Sequence, residues 1–284
     1  MNSLKGKVAV VTGASRGVGK GTALGLAESG ATVYVTGRTY ELNMSDRLPA
    51  FAKNTTIQRT AEEINQLGGI GIAHRCDHRN DDEVKALFDR VIREQGKIDI
   101  LVNNVWAGYE HIPGGYFFGT PFWKQPVSLW DDSMDVGLRS HYVASRLAAQ
   151  SMVKQRSGMI VNISFYSGRR YMSNVTYGVC KAALDRLSRD MAYELEDYGI
   201  PVFSLYPGLV RTEAILDAAK NDPTLDLEDS ESPRFIGRCI AALAQDKNCM
   251  YKTGEILISA EVAQEYQIKD VDGRIPKSYR KALW

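Results

Sequence analysis

Two short runs of residues carry most of the chemistry legible in this sequence. Tyr177 and Lys181, in Tyr177-Gly178-Val179-Cys180-Lys181, stand four positions apart in a stretch with helical periodicity, so a phenol and an ammonium point the same way. A phenol in water has a pKa of about 10 and is a poor base near neutrality. A nearby ammonium favours the phenolate and tunes it toward general acid–base work. By spacing alone the pair reads better as an ordinary Tyr/Lys pair on an exposed helix face. The second run is Thr12-Gly13-Ala14-Ser15-Arg16-Gly17-Val18-Gly19, which follows a strand pattern and opens a helical one. Its glycines let backbone approach a phosphate, and the helix N-terminus favours negative charge. Together the two runs imply a bound dinucleotide and proton transfer coupled to hydride transfer.

The type of dinucleotide follows from charge. A carboxylate roughly 20 positions past the glycine turn would bind an adenine-ribose diol. Here the second strand pattern ends in Gly37-Arg38, and Arg16 sits inside the turn. Two guanidiniums at this corner suit a 2′-phosphate, which arginine pairs in a bidentate way. NADP(H) is therefore expected over NAD(H), unless the arginines are simply solvated surface charges.

These residues need a scaffold, and the apolar periodicity supplies one. Strand patterns cover 7–11, 32–36, 71–75, 98–102, 159–163, 202–206 and 255–258, and helical patterns 17–29, 60–67, 81–95, 130–156, 177–197 and 233–244. Strands alternating with helices predict an α/β fold: a Rossmann-type, doubly wound, parallel seven-stranded sheet with helices on both faces, as a single domain over 1–284. Ligands then lie beyond the C-terminal ends of the strands. Three connections exceed ordinary lengths, 39–59, 106–129 and 210–232, and all leave that end of a strand.

The spacing of the glycine turn is Gly-x3-Gly-x-Gly. TGxxxGxG with a later YxxxK is the signature of the short-chain dehydrogenase/reductase family, which this sequence resembles over nearly its whole length. Asp77 after the third strand, Asn103-Asn104 after the fourth, and Pro207-Gly208 with Thr212 after the sixth extend the resemblance. It implies a cofactor site built from Gly13, Ser15, Arg16, Gly17, Val18, Gly19, Arg38, Asp77, Asn104, Tyr177, Lys181, Pro207, Gly208, Val210 and Thr212. By the same resemblance Asp77 would bind the adenine, Asn104 would line the adenosine half, Lys181 would hold the nicotinamide ribose and Thr212 would reach the carboxamide. Without it, Asp77 reads as a cap on a strand end.

Two departures from the family stand out. Aligning the end of the fifth strand puts Phe165 where the family has a serine that hydrogen-bonds the substrate carbonyl. Ser164 lies one residue before and Ser167 two after. In an extended segment i and i+2 share a face, so Ser167 is the preferred stand-in and Ser164 the candidate if the register slips by one. The long helix carries Val136-Gly137-Leu138 where the family has an asparagine that interrupts the helix and presents a carbonyl to a bridging water. Glycine keeps that carbonyl, so asparagine at 137 is expected to leave turnover nearly unchanged.

Aromatics crowd the connection after the fourth strand: Trp106, Tyr109, Tyr116, Phe117, Phe118, Phe122, Trp123 and Trp130, with Phe165, Tyr166 and Tyr171 nearby. They line an apolar substrate pocket, with Trp106, Phe165 and Tyr166 as substrate contacts, or they pack against the sheet edge or a partner subunit. Arg169 and Arg170 would meet an acidic substrate group or remain solvated. Trp130-Asp131-Asp132, the run from Gly137 to Tyr142 and the tail 269–274 resemble one branch of the family, the dehydrogenase/reductase member 1-like proteins. That branch implies carbonyl reduction of steroids and xenobiotics. The family implies a homodimer or homotetramer through the two long helices; the tail stands in place of the family's glycine-rich C-terminus and is expected to dock on a neighbouring surface.

Composition bounds the rest. The 284 residues balance 35 basic against 34 acidic side chains for a net charge of +1, so no global field draws nucleic acid or an anionic membrane. Four cysteines without a CxxC pair imply free thiols in a reducing, cytoplasmic setting. No run approaches a membrane span or a signal peptide, and the four histidines show no metal-ligand spacing. The competing readings are a cofactor-binding sensor or scaffold with little turnover, suggested by Phe165 and Gly137, and non-redox chemistry such as elimination or isomerisation with Tyr177 as base.

Overall fold

Seven short strands supply the apolar runs: β1 (Val8–Val11), β2 (Thr32–Gly37), β3 (Ile70–Arg75), β4 (Ile100–Asn103), β5 (Met159–Ile163), β6 (Val202–Tyr206) and β7 (Ile256–Ile258). In this computed structural model they form one sheet in the order β3-β2-β1-β4-β5-β6-β7, and every neighbouring pair is parallel. Residues 3–41, 49–112, 115, 119–172 and 174–283 are described. Residues 42–48, Tyr116, Phe117 and Phe118 lie outside them, as does the side chain of Tyr109.

The helices are α1 (Gly17–Glu28), α2 (Ile57–Gln66), α3 (Asp81–Gln95), α4 (Val127–Met134), α5 (Ser140–Gln155), α6 (Val175–Leu195), α7 (Glu213–Asn221), α8 (Pro233–Gln245), α9 (Ser259–Tyr266) and α10 (Arg280–Leu283). Strand side chains alternate between two cores. Ala9, Val11, Val33 and Val161 pack under α1, α2 and α8, whereas Val8, Val10, Tyr34 and Ile160 pack under α3, α5 and α6. The chain reverses its winding where β1 lies between β2 and β4, and a crevice opens there beyond the strand ends. Among the described residues no helix is long and apolar enough to cross a membrane.

The differences from the sequence reading have local causes. α2 begins at Ile57 because the Thr56 side chain accepts from the Arg59 amide, three residues ahead of the periodicity's first turn. The helix expected over 130–156 is α4 and α5 joined by a π turn, Asp135–Arg139, which contains Gly137. The 210–232 connection contains α7, capped by Thr212, and α9 follows β7 directly. The tail docks as expected, on the chain's own α8. Buried Asp270 accepts from the Ser232 amide at 2.7 Å and meets Arg211 at 3.2 Å, tying the tail to the base of the 210–232 connection.

α1 and α8 touch backbone to backbone. A Cβ on Gly21 would lie 2.0 Å from the carbonyl carbon of Pro233, so only glycine permits this crossing. Gly21→Ala is expected to destabilise the fold by about 1–3 kcal/mol, read as a lower urea midpoint. An unchanged midpoint would show that the helices do not meet there.

Candidate active site

The crevice is a cavity of about 810 Å³ at the C-terminal ends of β1, β2, β4, β5 and β6. One end of it is the glycine turn. Gly13 and Gly17 hold φ of +66° and +54°, the left-handed region that other residues avoid. A Cβ on Gly19 would lie 2.3 Å from the Gly13 carbonyl oxygen and 2.4 Å from Asn104 Nδ2. Asn104 ties the turn to β4 by donating to the carbonyls of Thr12 (2.9 Å) and Gly13 (3.1 Å). The amide of Gly17, the first residue of α1, donates to Glu213 Oε2 at 2.9 Å, so the helix terminus already holds an anionic oxygen. This close, amide-lined cradle fits the pyrophosphate of a dinucleotide. Gly13, Ser15, Arg16, Gly17, Val18, Gly19, Arg38, Asp77 and Asn104 all line the cavity here.

At the other end α6 presents the dyad. Asn174 caps that helix by accepting from the Tyr177 amide at 2.8 Å, which sets where its first turn begins. Tyr177 is half-buried and Lys181 almost fully buried, and both line the cavity. Lys181 Nζ donates to the Ile163 carbonyl at 2.8 Å and lies 5.5 Å from the Tyr177 ring centroid. Burial pushes the Lys181 ammonium below the ordinary lysine value. Behind it, His141 donates through Nε2 to the Val105 carbonyl at 3.0 Å. Burial, assisted by the Lys181 charge, lowers His141 to about 3, so its ring is neutral. Pro207, Gly208, Val210 and Thr212 close this end. Gly208 rests on Glu231, which sequence reasoning missed: a Cβ on Gly208 would lie 2.9 Å from Glu231 Oε1. Burial raises that carboxyl to about 7 even though Ser259 donates to it at 2.7 Å.

Several expectations are corrected. The parity argument for Ser167 fails because the chain leaves β5 through a tight 3-10 turn, Tyr166–Gly168. Ser164 ends up lining the cavity with Tyr177 and Lys181, its hydroxyl 3.3 Å from the Lys181 carbonyl, while Ser167 is buried away from it. Tyr166 is not a cavity residue. It is fully buried, edge-on to Tyr206 with ring centroids 5.2 Å apart. Phe122, Trp123, Trp130 and Tyr171 are exposed and line no part of the cavity, and Arg169 and Arg170 also face outward. Trp106 and Phe165 do line it, with centroids 5.3 and 6.3 Å from that of Tyr177. Among the described residues no cluster of His, Cys, Asp and Glu is arranged for a metal ion.

Gly137 is the sharpest correction. A Cβ there would lie 2.9 Å from Cys180 Sγ and 3.1 Å from Trp106 Cδ1, so no asparagine fits without displacing both. Cys180 is fully buried and its thiol donates to the Ser133 carbonyl at 3.3 Å, filling the volume a side chain at 137 would take. Gly137→Ala is expected to cost about 1–3 kcal/mol in the native background and at least 0.5 kcal/mol less in a Cys180→Ala background. Strictly additive effects in urea unfolding would show that the two positions do not touch.

The comparisons with known proteins agree with this geometry. Residues 7–222 match the family model for short chain dehydrogenases. Dehydrogenase/reductase SDR family member 1 of Mus musculus is 42% identical over 97% of this chain and 87% of its own length. A 7α-hydroxysteroid dehydrogenase complexed with NADH and 7-oxo glycochenodeoxycholic acid superposes with a TM-score of 0.71 at 30% identity, covering 90% of this chain and 94% of that one. A metagenomic short-chain oxidoreductase in complex with NADP gives 0.69 at 29% identity, covering 90% of this chain and 97% of that one. A glycine cradle, a Tyr–Lys pair on one helix and these similarities over most of the chain have one reading: the protein belongs to the short-chain dehydrogenase/reductase family of oxidoreductases.

Proposed function

We propose that the protein is an NADP(H)-dependent oxidoreductase that interconverts a carbonyl and a secondary alcohol on an apolar or bulky substrate. The observation that carries this reading is the convergence of Tyr177, Lys181 and Ser164 on the cavity that also holds the glycine cradle. The bound dinucleotide supplies or accepts the hydride. In the reducing direction Tyr177 donates its phenolic proton to the carbonyl oxygen, and Ser164 hydrogen-bonds the same oxygen as charge develops on it. Lys181 stabilises the phenolate left behind, and its field is strong because the group is buried. In the oxidising direction the phenolate removes the alcohol proton.

Arg16 and Arg38 both line the cavity, which supports a 2′-phosphate there, and Asp77, also in the lining, would bind the adenine. Trp106 and Phe165 stand beside Tyr177, and Ile112 and Val136 add apolar surface to the same cavity, a lining suited to a ring system. The steroid bound to the 7α-hydroxysteroid dehydrogenase neighbour is of that kind. Homo-oligomerisation through α5 and α6 is supported by Tyr142, Val179 and Tyr193, which are exposed on those helices. The place of action is the cytoplasm, in keeping with free thiols at all four cysteines.

Oxidation of NADPH with a panel of aldehydes, ketones and quinones tests the reading. Tyr177→Phe is expected to lose about 10²–10⁴-fold in kcat while retaining NADPH binding. Ser164→Ala is expected to lose about 10²–10³-fold, and Ser167→Ala to stay within twofold. Tight NADPH binding with no turnover across the panel would favour the sensor or scaffold instead.

A further inference from the structure

The cofactor cleft has two positions built for anions, and a carboxylate of the chain itself stands at each. At the first, Glu213 Oε2 accepts from the Gly17 amide at the start of α1, 2.9 Å away. At the second, Arg38 at the end of β2 donates to Glu110 Oε1 in an ion pair. The two acids come from different connections, 106–129 after β4 and 210–232 after β6. The sequence puts no carboxylate at the end of β2, so Glu110 reaches this corner only through the tertiary fold.

We propose that Glu110 and Glu213 are competitors for the cofactor's anionic groups, Glu110 acting against a 2′-phosphate alone and Glu213 against the pyrophosphate common to both dinucleotides. The Glu110 half rests on the NADP(H) reading. A phosphate oxygen and a carboxylate cannot share one guanidinium face or one helix-terminal amide without like-charge repulsion, so binding exchanges one for the other. The exchange is easy because each acid has somewhere to go. Glu110 Oε2 lies 3.8 Å from Arg79, which also holds Asp132 at 2.5 Å, and Asp132 in turn meets His111 at 2.8 Å. Released from Arg38, Glu110 stays beside the Arg79 charge. Glu213 is the first residue of α7, and once off Gly17 it stays at that helix's own N-terminus, where negative charge is favoured. Glu110 is thus a specificity-determining residue: it weakens NADP(H) selectively, and the affinity ratio of the two dinucleotides is set by Arg38 and Glu110 together.

Equilibrium binding by calorimetry, with NADPH, NADH and 2′,5′-ADP as probes, separates the parts. Glu110→Gln is expected to tighten NADPH and 2′,5′-ADP roughly 10-fold with NADH within twofold, and Glu213→Gln to tighten NADPH and NADH alike by a similar factor. Weaker NADH binding by Glu110→Gln would make this carboxylate a ribose-diol acceptor and overturn the assignment. Equal tightening of both dinucleotides, or no change in either, would also overturn it. Unchanged or weakened binding by Glu213→Gln overturns the second half. A lower melting temperature with unchanged affinities marks a structural ion pair and counts against the proposal. Arg38→Gln is the control: if it leaves NADPH affinity intact, the 2′-phosphate reading of the corner fails. If it weakens NADPH while Glu110→Gln has no effect, the competitor role alone fails.

Discussion

The site depends on the rotational setting of α6. Tyr177 and Lys181 face the cavity only if this helix is held at one angle against β5 and β6, and a chain of buried polar contacts holds it. Lys181 Nζ donates to the Ile163 carbonyl, Asn162 Nδ2 donates to Ser188 Oγ at 2.8 Å, and the Ser204 hydroxyl meets Ser188 at 3.0 Å. Asn103 extends the chain, donating to Asn162 Oδ1 and Ser145 Oγ at 2.8 Å each, and so fastens α5 and β4 to the same line. Every member is buried, so turning the helix would strand donors and acceptors at about 1–3 kcal/mol each. Hydrophobic packing alone would tolerate small rotations; this line of hydrogen bonds does not.

The same economy of space shapes the cleft on both sides. At the glycine turn, backbone comes so close that Gly19 has no room for a methyl group. Beside Tyr177, Gly137 opens a slot that Trp106 and Cys180 fill, and a Cβ on Gly108 would collide with the Trp106 ring at 1.8 Å. Trp106 is thereby held edge-on to Tyr177. Gly137, Cys180 and Trp106 form one packing unit, and a departure from the family at position 137 makes physical sense only beside the other two.

The connections over the cleft are tied down from outside it. Asp270 of the tail reaches Ser232, at the N-terminus of α8, and Arg211, beside Thr212. Glu231 supports Gly208 from below and is held by Ser259 at the start of α9. A stretch remote in sequence therefore steadies the Pro207–Thr212 wall of the cavity, and the chain beyond β7 takes part in shaping the site.

The parallel α/β fold was legible because its signals are local. Three or four apolar residues make each strand, and a 3.6-residue period marks α3 at its observed limits, 81–95. The glycine turn and the Tyr–Lys spacing are local too, so both are visible in the sequence itself. α7 carries a readable cap at Thr212, whereas α9 has no side-chain cap and offers no such signal. What the sequence could not decide was direction and company. Strand parity favours Ser167, but the 3-10 turn Tyr166–Gly168 breaks the alternation after Phe165, and Ser164 rather than Ser167 lines the cavity. Composition grouped Phe122, Trp123 and Trp130 with Trp106, yet only Trp106 of these reaches Tyr177. The charge at Arg38 was visible; its partner Glu110 was not, because they are 72 residues apart and meet only when β2 and β4 flank β1. Local chemistry is written in neighbouring residues, but which groups share a cavity is set by long-range packing, and that exists only once the sheet has formed.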